Sequence, residues 1–129
     1  MIFECQALRD APNGKPCIRC GARRDTTVGA HYTGMRRGSY GGGMSQKCWD
    51  ICIADLCDMC HAWMDRVSRE KSKAIEHSEE FQHLIILTIM RRIDEGVIVI
   101  KGQRDKKYKP PSKIVPRREL KAEAERVQE

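Results

Sequence analysis

The chain has 129 residues and a mass of 14.8 kDa, which is enough for one small domain with tails. Aromatic residues make up 5% and charged residues 33%, so the apolar core is expected to be modest and to need support from a structural metal. The formal net charge of +6 and the pI near 9.0 favour a polyanionic partner such as nucleic acid. The alternative is a solvated basic surface.

The sequence predicts a cytoplasmic protein. Its N-terminus, MIFECQALRDAPNGKPC, lacks the basic start and apolar stretch of a secretory signal. The longest apolar run, LIILTIM at 84–90, is too short to cross a bilayer. Cytoplasmic thiols stay reduced, so the seven cysteines, an odd number, indicate metal binding more than disulfides.

The N-terminal half of the sequence is predicted to form turns, a tight C-x-x-C turn (a knuckle) and a β-hairpin. Residues 1–16 contain two prolines, an asparagine and a glycine and are predicted to be irregular. CIRCG at 17–21 is a tight knuckle, and TTVGAHY at 26–32 is a short strand. Residues 33–47 contain five glycines, which predict a flexible loop without regular structure. WDICIADLC at 49–57 is the expected second strand, and a helix is expected to begin at CHAWMDR.

A second helix is the clearest element of the chain. Ser78 is its predicted N-cap, and Gly96 stands where a C-terminal stop is expected. Its apolar positions keep helical spacing at Phe81, Leu84, Ile85, Thr88, Ile89 and Ile93. VIVI at 97–100 is predicted to be a short strand. A polar, basic linker and tail at 103–129 follow, with a short surface helix expected near the end.

Two C-x-x-C pairs predict a structural zinc site. Two residues between thiols let both sulfurs reach one ion, and thiolate ligands suit zinc. The expected ligands are Cys17, Cys20, Cys57 and Cys60. Two alternatives stay open at this point: two unrelated thiol pairs, or a site for which Cys48 and Cys52 compete as ligands, with Cys5 incidental.

The second pair belongs to CDMCH, which is also the form of a covalent haem attachment site. Such attachment usually needs export, for which the N-terminus has no signal. It also needs a large apolar pocket, which this composition barely provides. If Cys60 faces zinc from the first turn of a helix, His61 is rotated by roughly 100° about the helix axis. His61 would then face another ion or a phosphate, or would merely form a hydrogen bond near the knuckle.

The order of these parts resembles the HNH nucleases. AHY with His31, the glycine-rich GSYGGGMSQKCWD ending at Asp50, and CDMCH ending at His61 follow one another as in that family. From Cys17 to about Gly102 the chain is similar to the small phage and prophage nucleases of the YbcO type, including the closing EGVIVIKG. The resemblance covers about two-thirds of the chain.

The resemblance implies an α+β fold, a zinc-stabilised ββα-metal domain of treble-clef-like form with an additional C-terminal helix and short strand. This domain would span residues 17–102. His31 would be the general base that activates water, and His61 would bind a catalytic Mg²⁺ or Mn²⁺ ion. Asp50 would support His31 and the loop, or would reach the ion. The expected phosphate contacts are Arg36, Arg37 and Lys47.

One departure from the family concerns the residue before His31. Many HNH enzymes place an acidic metal ligand there, and this chain has Ala30. The coordination shell would then consist of His61, Asp50 and waters, which magnesium tolerates. Structural roles are the alternatives: His31 as a strand residue, Asp50 as a turn residue, and the loop arginines as solubility charges.

The function expected from the resemblance is phosphodiester hydrolysis by a metal-dependent DNA endonuclease or nickase in recombination or DNA processing. The expected partners are DNA and recombination proteins, in the cytoplasm of the host cell if the protein is phage-encoded. A homodimer would let paired sites cut both strands. The alternatives are an inactive zinc-stabilised module that binds DNA or protein, and an interaction protein that docks through its long helix.

Overall fold

Two short strands, three α-helices and two short 3-10 helices form the regular structure of residues 3–23 and 25–103, the part of the chain that the computed structural model describes. In chain order the strands and α-helices are α1 (Gln6–Asp10), β1 (Val28–His31), β2 (Ile53–Leu56), α2 (Asp58–Ser68) and α3 (Ala74–Asp94). The fold is α+β, a two-stranded hairpin followed by two helices. The predicted tail at 103–129 lies outside the described residues except for its first residue.

The predicted hairpin is confirmed, with strands shorter than expected. β1 and β2 are antiparallel and pair from Val28 opposite Leu56 to His31 opposite Ile53. All four side chains of β2 are buried, because helices cover this strand. The hairpin therefore places His31 beside the first residue of β2, whereas α2 begins just after the last.

The predicted strand at 97–100 is wrong. No strand forms after α3 within the described residues, and the sheet has two strands. The backbone N–H groups of Val97 and Ile98 instead donate to the Arg92 carbonyl oxygen at 2.9 and 3.1 Å. Gly96 makes this turn possible with a φ of 78°, as expected for a residue that ends a helix. These amide groups cap α3 and are not available to a sheet.

The predicted apolar stripe of α3 is confirmed, but its predicted start is not. Phe81, Leu84, Ile85 and Thr88 are buried along one side of the helix. The helix begins one turn before Ser78, at Ala74. The Ser78 hydroxyl donates to the Ala74 carbonyl oxygen at 2.7 Å, as serines inside helices do, and accepts the Met35 amide at 2.8 Å.

The core lies between the hairpin, α2 and α3. It joins apolar side chains to the cysteines of the predicted zinc site, and its members outside the cysteines include Ala30, Tyr32, Ala54, Leu56, Met64, Phe81 and Leu84. Met64 is buried in this core. No helix in the described ranges is long and apolar enough to cross a membrane.

The glycine-rich loop is more structured than predicted. A turn of 3-10 helix forms at Arg37–Tyr40, so the expectation of no regular element there is wrong. The rings of Tyr32 and Tyr40 pack edge to face with centroids 5.5 Å apart, and Tyr32 meets Phe81 of α3 at the same separation. The side-chain amide of Gln82 donates to both tyrosine hydroxyls. Aromatic contacts thus fix the loop against α3.

Replacing Gly41 by alanine is expected to lower the free energy of unfolding by about 1–3 kcal/mol. Gly41 has a φ of 82°, and a Cβ atom there would lie 2.2 Å from the indole nitrogen of Trp49. Gly43→Ala is the matched control, because a Cβ at Gly43 meets nothing within 4 Å. Chemical denaturation of both variants measures the difference. Equal stability of the two variants would contradict this account of the loop.

Part of the N-terminal segment 1–16 is helical and not irregular as predicted. α1 spans Gln6–Asp10 and buries Leu8. The segment also bonds to the end of the glycine-rich loop: Cys5 N–H donates to an Asp50 carboxylate oxygen at 2.7 Å, and Asp50 N–H donates to the Phe3 carbonyl oxygen at 3.4 Å. These bonds bring α1 next to a predicted site residue.

Candidate metal centre and the His31–Asp50 cavity

The two C-x-x-C pairs come together as predicted. The sulfur atoms of Cys17, Cys20, Cys57 and Cys60 all lie within 4.8 Å of one another. The Cys20 and Cys57 sulfurs are 3.8 Å apart, which equals the edge of about 3.8 Å that a tetrahedron with zinc–sulfur bonds of about 2.3 Å would have. The donor set therefore fits a structural zinc ion, and the cysteines at 48 and 52 do not belong to the cluster.

Local backbone structure explains why the four thiols converge. In the first pair, Gly21 N–H donates to the Cys17 carbonyl oxygen at 2.9 Å, and a φ of 75° at Gly21 lets the chain turn after the second thiol. In the second pair, Cys57 is the N-cap residue of α2, and Cys60 lies in the first helical turn. This confirms that the second pair opens a helix.

The thiols of this cluster differ in acidity. Burial raises the pKa of Cys17, but backbone N–H groups of Cys20, Cys57 and Arg19 bond its sulfur and outweigh burial, so the pKa falls to about 6. Burial raises the pKa of Cys60 to about 12, and its thiol neighbours contribute. Four thiolates this close repel one another strongly, and a divalent cation would remove that repulsion.

Arg19 covers one side of the cluster. Its guanidinium group donates to the Cys60 sulfur at 3.6 Å and lies 3.9 Å from the centre of the Trp63 ring. The arginine thereby connects the first knuckle to α2 through a cation–π contact. Trp63 is partly buried and packs against the core that contains the cysteines.

His31 and Asp50 form a direct pair. The His31 Nε2 atom lies 2.9 Å from Asp50 Oδ1. Asp50 is buried, whereas 15% of the His31 side chain is exposed, so solvent reaches the histidine. β1 ends at His31, and the glycine-rich loop carries Asp50 back to it across 19 residues. The contact is compatible with the predicted support of His31 by Asp50, and both predicted roles of Asp50 stay predictions.

The second oxygen of Asp50 has its own partners. Asp50 Oδ2 accepts the Cys5 N–H at 2.7 Å and lies 3.2 Å from Nε of Arg9. Burial raises the pKa of Asp50, but the hydrogen bonds from His31 and Cys5 and the charge of Arg9 outweigh burial and hold this pKa below its ordinary value. Asp50 is therefore a carboxylate at neutral pH.

The pair lines an open cavity of about 380 Å³. Lys47, one of the predicted phosphate contacts, lines this cavity with Arg9, Glu4 and Trp49. The other predicted contacts, Arg36 and Arg37, are exposed on the neighbouring 3-10 turn and do not line it. The structure thus brings one of the three predicted DNA-binding residues to the His31–Asp50 pair.

His61 does not line this cavity either. It lies half-buried in the first turn of α2, and its N–H donates to the Cys57 carbonyl oxygen at 2.9 Å. Over residues 3–23 and 25–103, the four cysteines are the one group of three or more cysteine, histidine or acidic side chains close enough to share an ion. Both oxygens of Asp50 are engaged by other groups. No group of three such side chains within the described residues includes His31, Asp50 or His61, and the catalytic ion stays a prediction.

Arg9 is the residue at this site that sequence reasoning missed. It lies in a segment without a recognisable motif, 41 positions before Asp50 in the chain. No spacing rule predicts such a contact. The positive charge of Arg9 was the one feature that could have pointed to it, and basic residues are too frequent in this sequence for charge to single it out.

No protein-family model, curated protein or solved structure matches this chain. The resemblance to the HNH nucleases rests on the residues described above. It remains a prediction.

Proposed function

We propose that the protein is a DNA endonuclease or nickase of the phage and prophage HNH type, which hydrolyses phosphodiester bonds in recombination or DNA processing. The observation that carries the proposal is the His31–Asp50 pair at 2.9 Å, at the end of β1 and open to a cavity lined by Arg9 and Lys47. In the finer assignment, the hairpin, α2 and the four-cysteine cluster correspond to a zinc-stabilised ββα-metal fold of treble-clef-like form.

The pair sets the chemistry available to His31. Because Asp50 is ionised, its carboxylate accepts the proton on His31 Nε2, so the imidazole keeps Nδ1 as its basic nitrogen. A carboxylate in this position fixes the tautomer and stabilises the imidazolium that forms when Nδ1 takes a proton. This arrangement suits a general base.

Hydrolysis would use this base once per bond cut. His31 Nδ1 removes a proton from a water molecule while the water oxygen forms a bond to phosphorus. The bond from phosphorus to the 3′ oxygen breaks, and this oxygen takes up a proton, so that a 5′-phosphate and a 3′-hydroxyl result. Lys47, an exposed cation at the cavity, would contact the phosphate.

Metal ions enter the proposal at two places. Zinc is proposed as the ion of the four-cysteine cluster, because thiolates select it. A Mg²⁺ or Mn²⁺ ion bound with His61 or Asp50 would stabilise charge on the departing 3′ oxygen. The described residues present no completed set of ligands for that second ion, so its site remains a prediction, as do a homodimer and recombination proteins as partners.

A binding module is the second candidate. Ala30 in place of an acidic residue, and the absence of His61 from the lining of the His31 cavity, favour it. Such a protein would keep the cysteine cluster and the basic cavity and would bind DNA without cutting it.

Replacing His31 by alanine is expected to reduce DNA cleavage by a factor of about 100 to 10,000, the usual contribution of a general base. The substrates are nicked, branched and plain DNA with Mg²⁺ or Mn²⁺. His83→Ala is the matched control, because His83 is an exposed histidine of α3 away from the cavity. Elemental analysis checks that wild type and variants keep the same zinc content.

The outcomes separate the two candidate functions. If wild type and His83→Ala cut while His31→Ala keeps zinc but does not cut, His31 is the base. Undiminished cleavage by His31→Ala would remove His31 from the mechanism. If none of the three proteins cuts but all bind DNA and zinc, the protein is a binding module.

A further inference from the structure

Arg9, a residue of α1, places a positive charge at the His31–Asp50 cavity. Arg9 Nε lies 3.2 Å from Asp50 Oδ2, and 45% of the Arg9 side chain is exposed. Within residues 3–23 and 25–103, this is the one ion pair of Arg9. The two terminal nitrogens of its guanidinium group therefore remain available to a ligand entering the cavity.

The charges of the cavity require such a cation. Asp50 is an anion beside the proposed base, and a DNA phosphate entering the cavity is a second anion. Glu4 adds a third negative group to the lining. Like charges at short range repel, and a group that contacts two anions at once removes the repulsion between them. Arg9 is placed to do so, since it already contacts one of them.

The shape of the guanidinium group decides between Arg9 and Lys47 for this role. A guanidinium is planar and carries five N–H donors, so one edge can meet a carboxylate while another binds a phosphate through two parallel hydrogen bonds. An ammonium group is a compact point charge. Lys47 can add charge to the cavity, but it cannot hold two anions in a fixed geometry.

We propose that Arg9 bridges Asp50 and the DNA phosphate at the cavity, with Nε on the carboxylate and both terminal nitrogens on the non-bridging oxygens of the phosphate. Under the proposed function, on which this inference rests, that phosphate is the one to be hydrolysed. The N-terminal segment is then part of the nuclease site, although its sequence is outside the resemblance.

Arg9 can be changed without removing the support of Asp50. The carboxylate keeps the Cys5 N–H at 2.7 Å and the His31 ring at 2.9 Å, and α1 stays anchored by the buried Leu8. An alanine at position 9 should therefore leave the fold intact, which thermal unfolding and zinc content verify. Arg69→Ala is the matched control, because Arg69 is an exposed arginine that follows α2 and lines no described cavity.

The experiment compares Arg9→Ala, Arg9→Lys and Arg69→Ala with the wild type. Cleavage of a DNA duplex gives kcat and KM, and binding of the same duplex without divalent ions is measured from low to high salt. Arg9→Ala is expected to lower kcat about 100-fold, as the loss of one donor to a reacting group does. It should also reduce the slope of log affinity against log salt by about 1, since one phosphate contact is lost. Arg9→Lys should restore the salt slope but not kcat.

The outcomes test the phosphate contact of Arg9 and the nuclease proposal separately. If the wild type cuts and Arg9→Ala behaves like Arg69→Ala, Arg9 makes no phosphate contact and the nuclease proposal stands. If Arg9→Lys restores kcat, a point charge suffices and the bridge is wrong. If the wild type does not cut, the nuclease proposal fails, and the salt slope alone decides: a decrease confined to Arg9→Ala supports the contact, and an unchanged slope overturns it.

Discussion

Replacing Cys60 by serine is expected to release the bound metal and unfold most of the domain. Structural zinc sites stabilise small domains directly, with apparent binding free energies of about 10–16 kcal/mol in zinc-finger peptides. The whole free energy of unfolding of a domain is about 5–15 kcal/mol. Because Cys60 and Cys57 belong both to the cluster and to the core beneath α2, loss of the metal would remove the link that holds the start of α2 to the first knuckle.

Cys48→Ser is the matched control for this variant. Cys48 and Cys60 are equally buried, each with 4% of its surface exposed, but Cys48 lies outside the cluster. Its thiol donates to the Arg37 carbonyl oxygen at 3.6 Å, and a serine hydroxyl could take over that hydrogen bond. The control should therefore cost no more than about 1–3 kcal/mol, the range for burial of a polar group.

Elemental analysis and circular dichroism measure the difference between the two cysteine variants. We expect one zinc per chain in Cys48→Ser and less in Cys60→Ser, with helical signal lost in the second variant and in wild type treated with a chelator. Retention of the wild-type melting temperature by Cys60→Ser would show that the cluster is not what holds the domain together.

The features predicted well from the sequence are those whose information is local. The spacing within each C-x-x-C pair restricts where two thiols can point, and the stripe that contains Leu84 and Ile85 follows from the period of a helix. Pairing of the two motifs over 37 positions was inferable because thiols that share one ion must meet. In that case the need for four ligands around one ion predicted the long-range contact.

The features predicted badly depend on partners that the local sequence does not contain. VIVI at 97–100 has strand propensity, but no third strand is present for it to pair with among the described residues, and its amides cap α3. The helix of the N-terminal segment and the position of Arg9 depend on bonds to Asp50 on a distant loop. Neither contact leaves a periodic or spacing signal.

A buried ion cluster was missed although the sequence contained a signal for it. Asp55 stands in the middle of the apolar strand β2 and is fully buried. Arg92 stands four residues after Thr88, on the buried stripe of α3, and is buried as well. Two opposite charges at predicted core positions of adjacent elements indicate a buried pair, because neither could remain there alone.

The cluster ties three parts of the fold together. Asp55 Oδ2 accepts hydrogen bonds from Arg92 and, at 2.9 Å, from Arg91. Arg91 also donates to the Pro16 carbonyl oxygen at 2.7 Å, next to the first knuckle, and Arg92 reaches both carboxylate oxygens of Glu95 at 2.6 Å. β2, α3 and the residue before the first C-x-x-C pair therefore meet at one carboxylate.

Replacing Asp55 by alanine is expected to lower the free energy of unfolding by about 3–5 kcal/mol, the cost of removing one partner from a buried ion pair. The Arg92 side chain is 3% exposed, so water cannot replace the lost carboxylate, and Glu95 is its remaining counter-ion among the described residues. Denaturant unfolding at neutral pH measures the loss. The slope of the transition should stay unchanged, since the exposed surface of the unfolded chain is the same.

The double variant Asp55→Leu with Arg92→Met tests whether the buried Arg92 charge, left without Asp55, is the cause. Replacing both members of a buried pair by apolar side chains of similar size is often neutral or stabilising. The double variant should therefore recover most of the stability that Asp55→Ala loses. The single variant Arg91→Met removes a side chain that is 24% exposed, so it should cost less stability than a single change at Asp55 or at Arg92. If the double variant were as unstable as Asp55→Ala, loss of packing or of backbone geometry in β2 would explain the effect, and the loss of the Asp55 charge beside Arg92 would not.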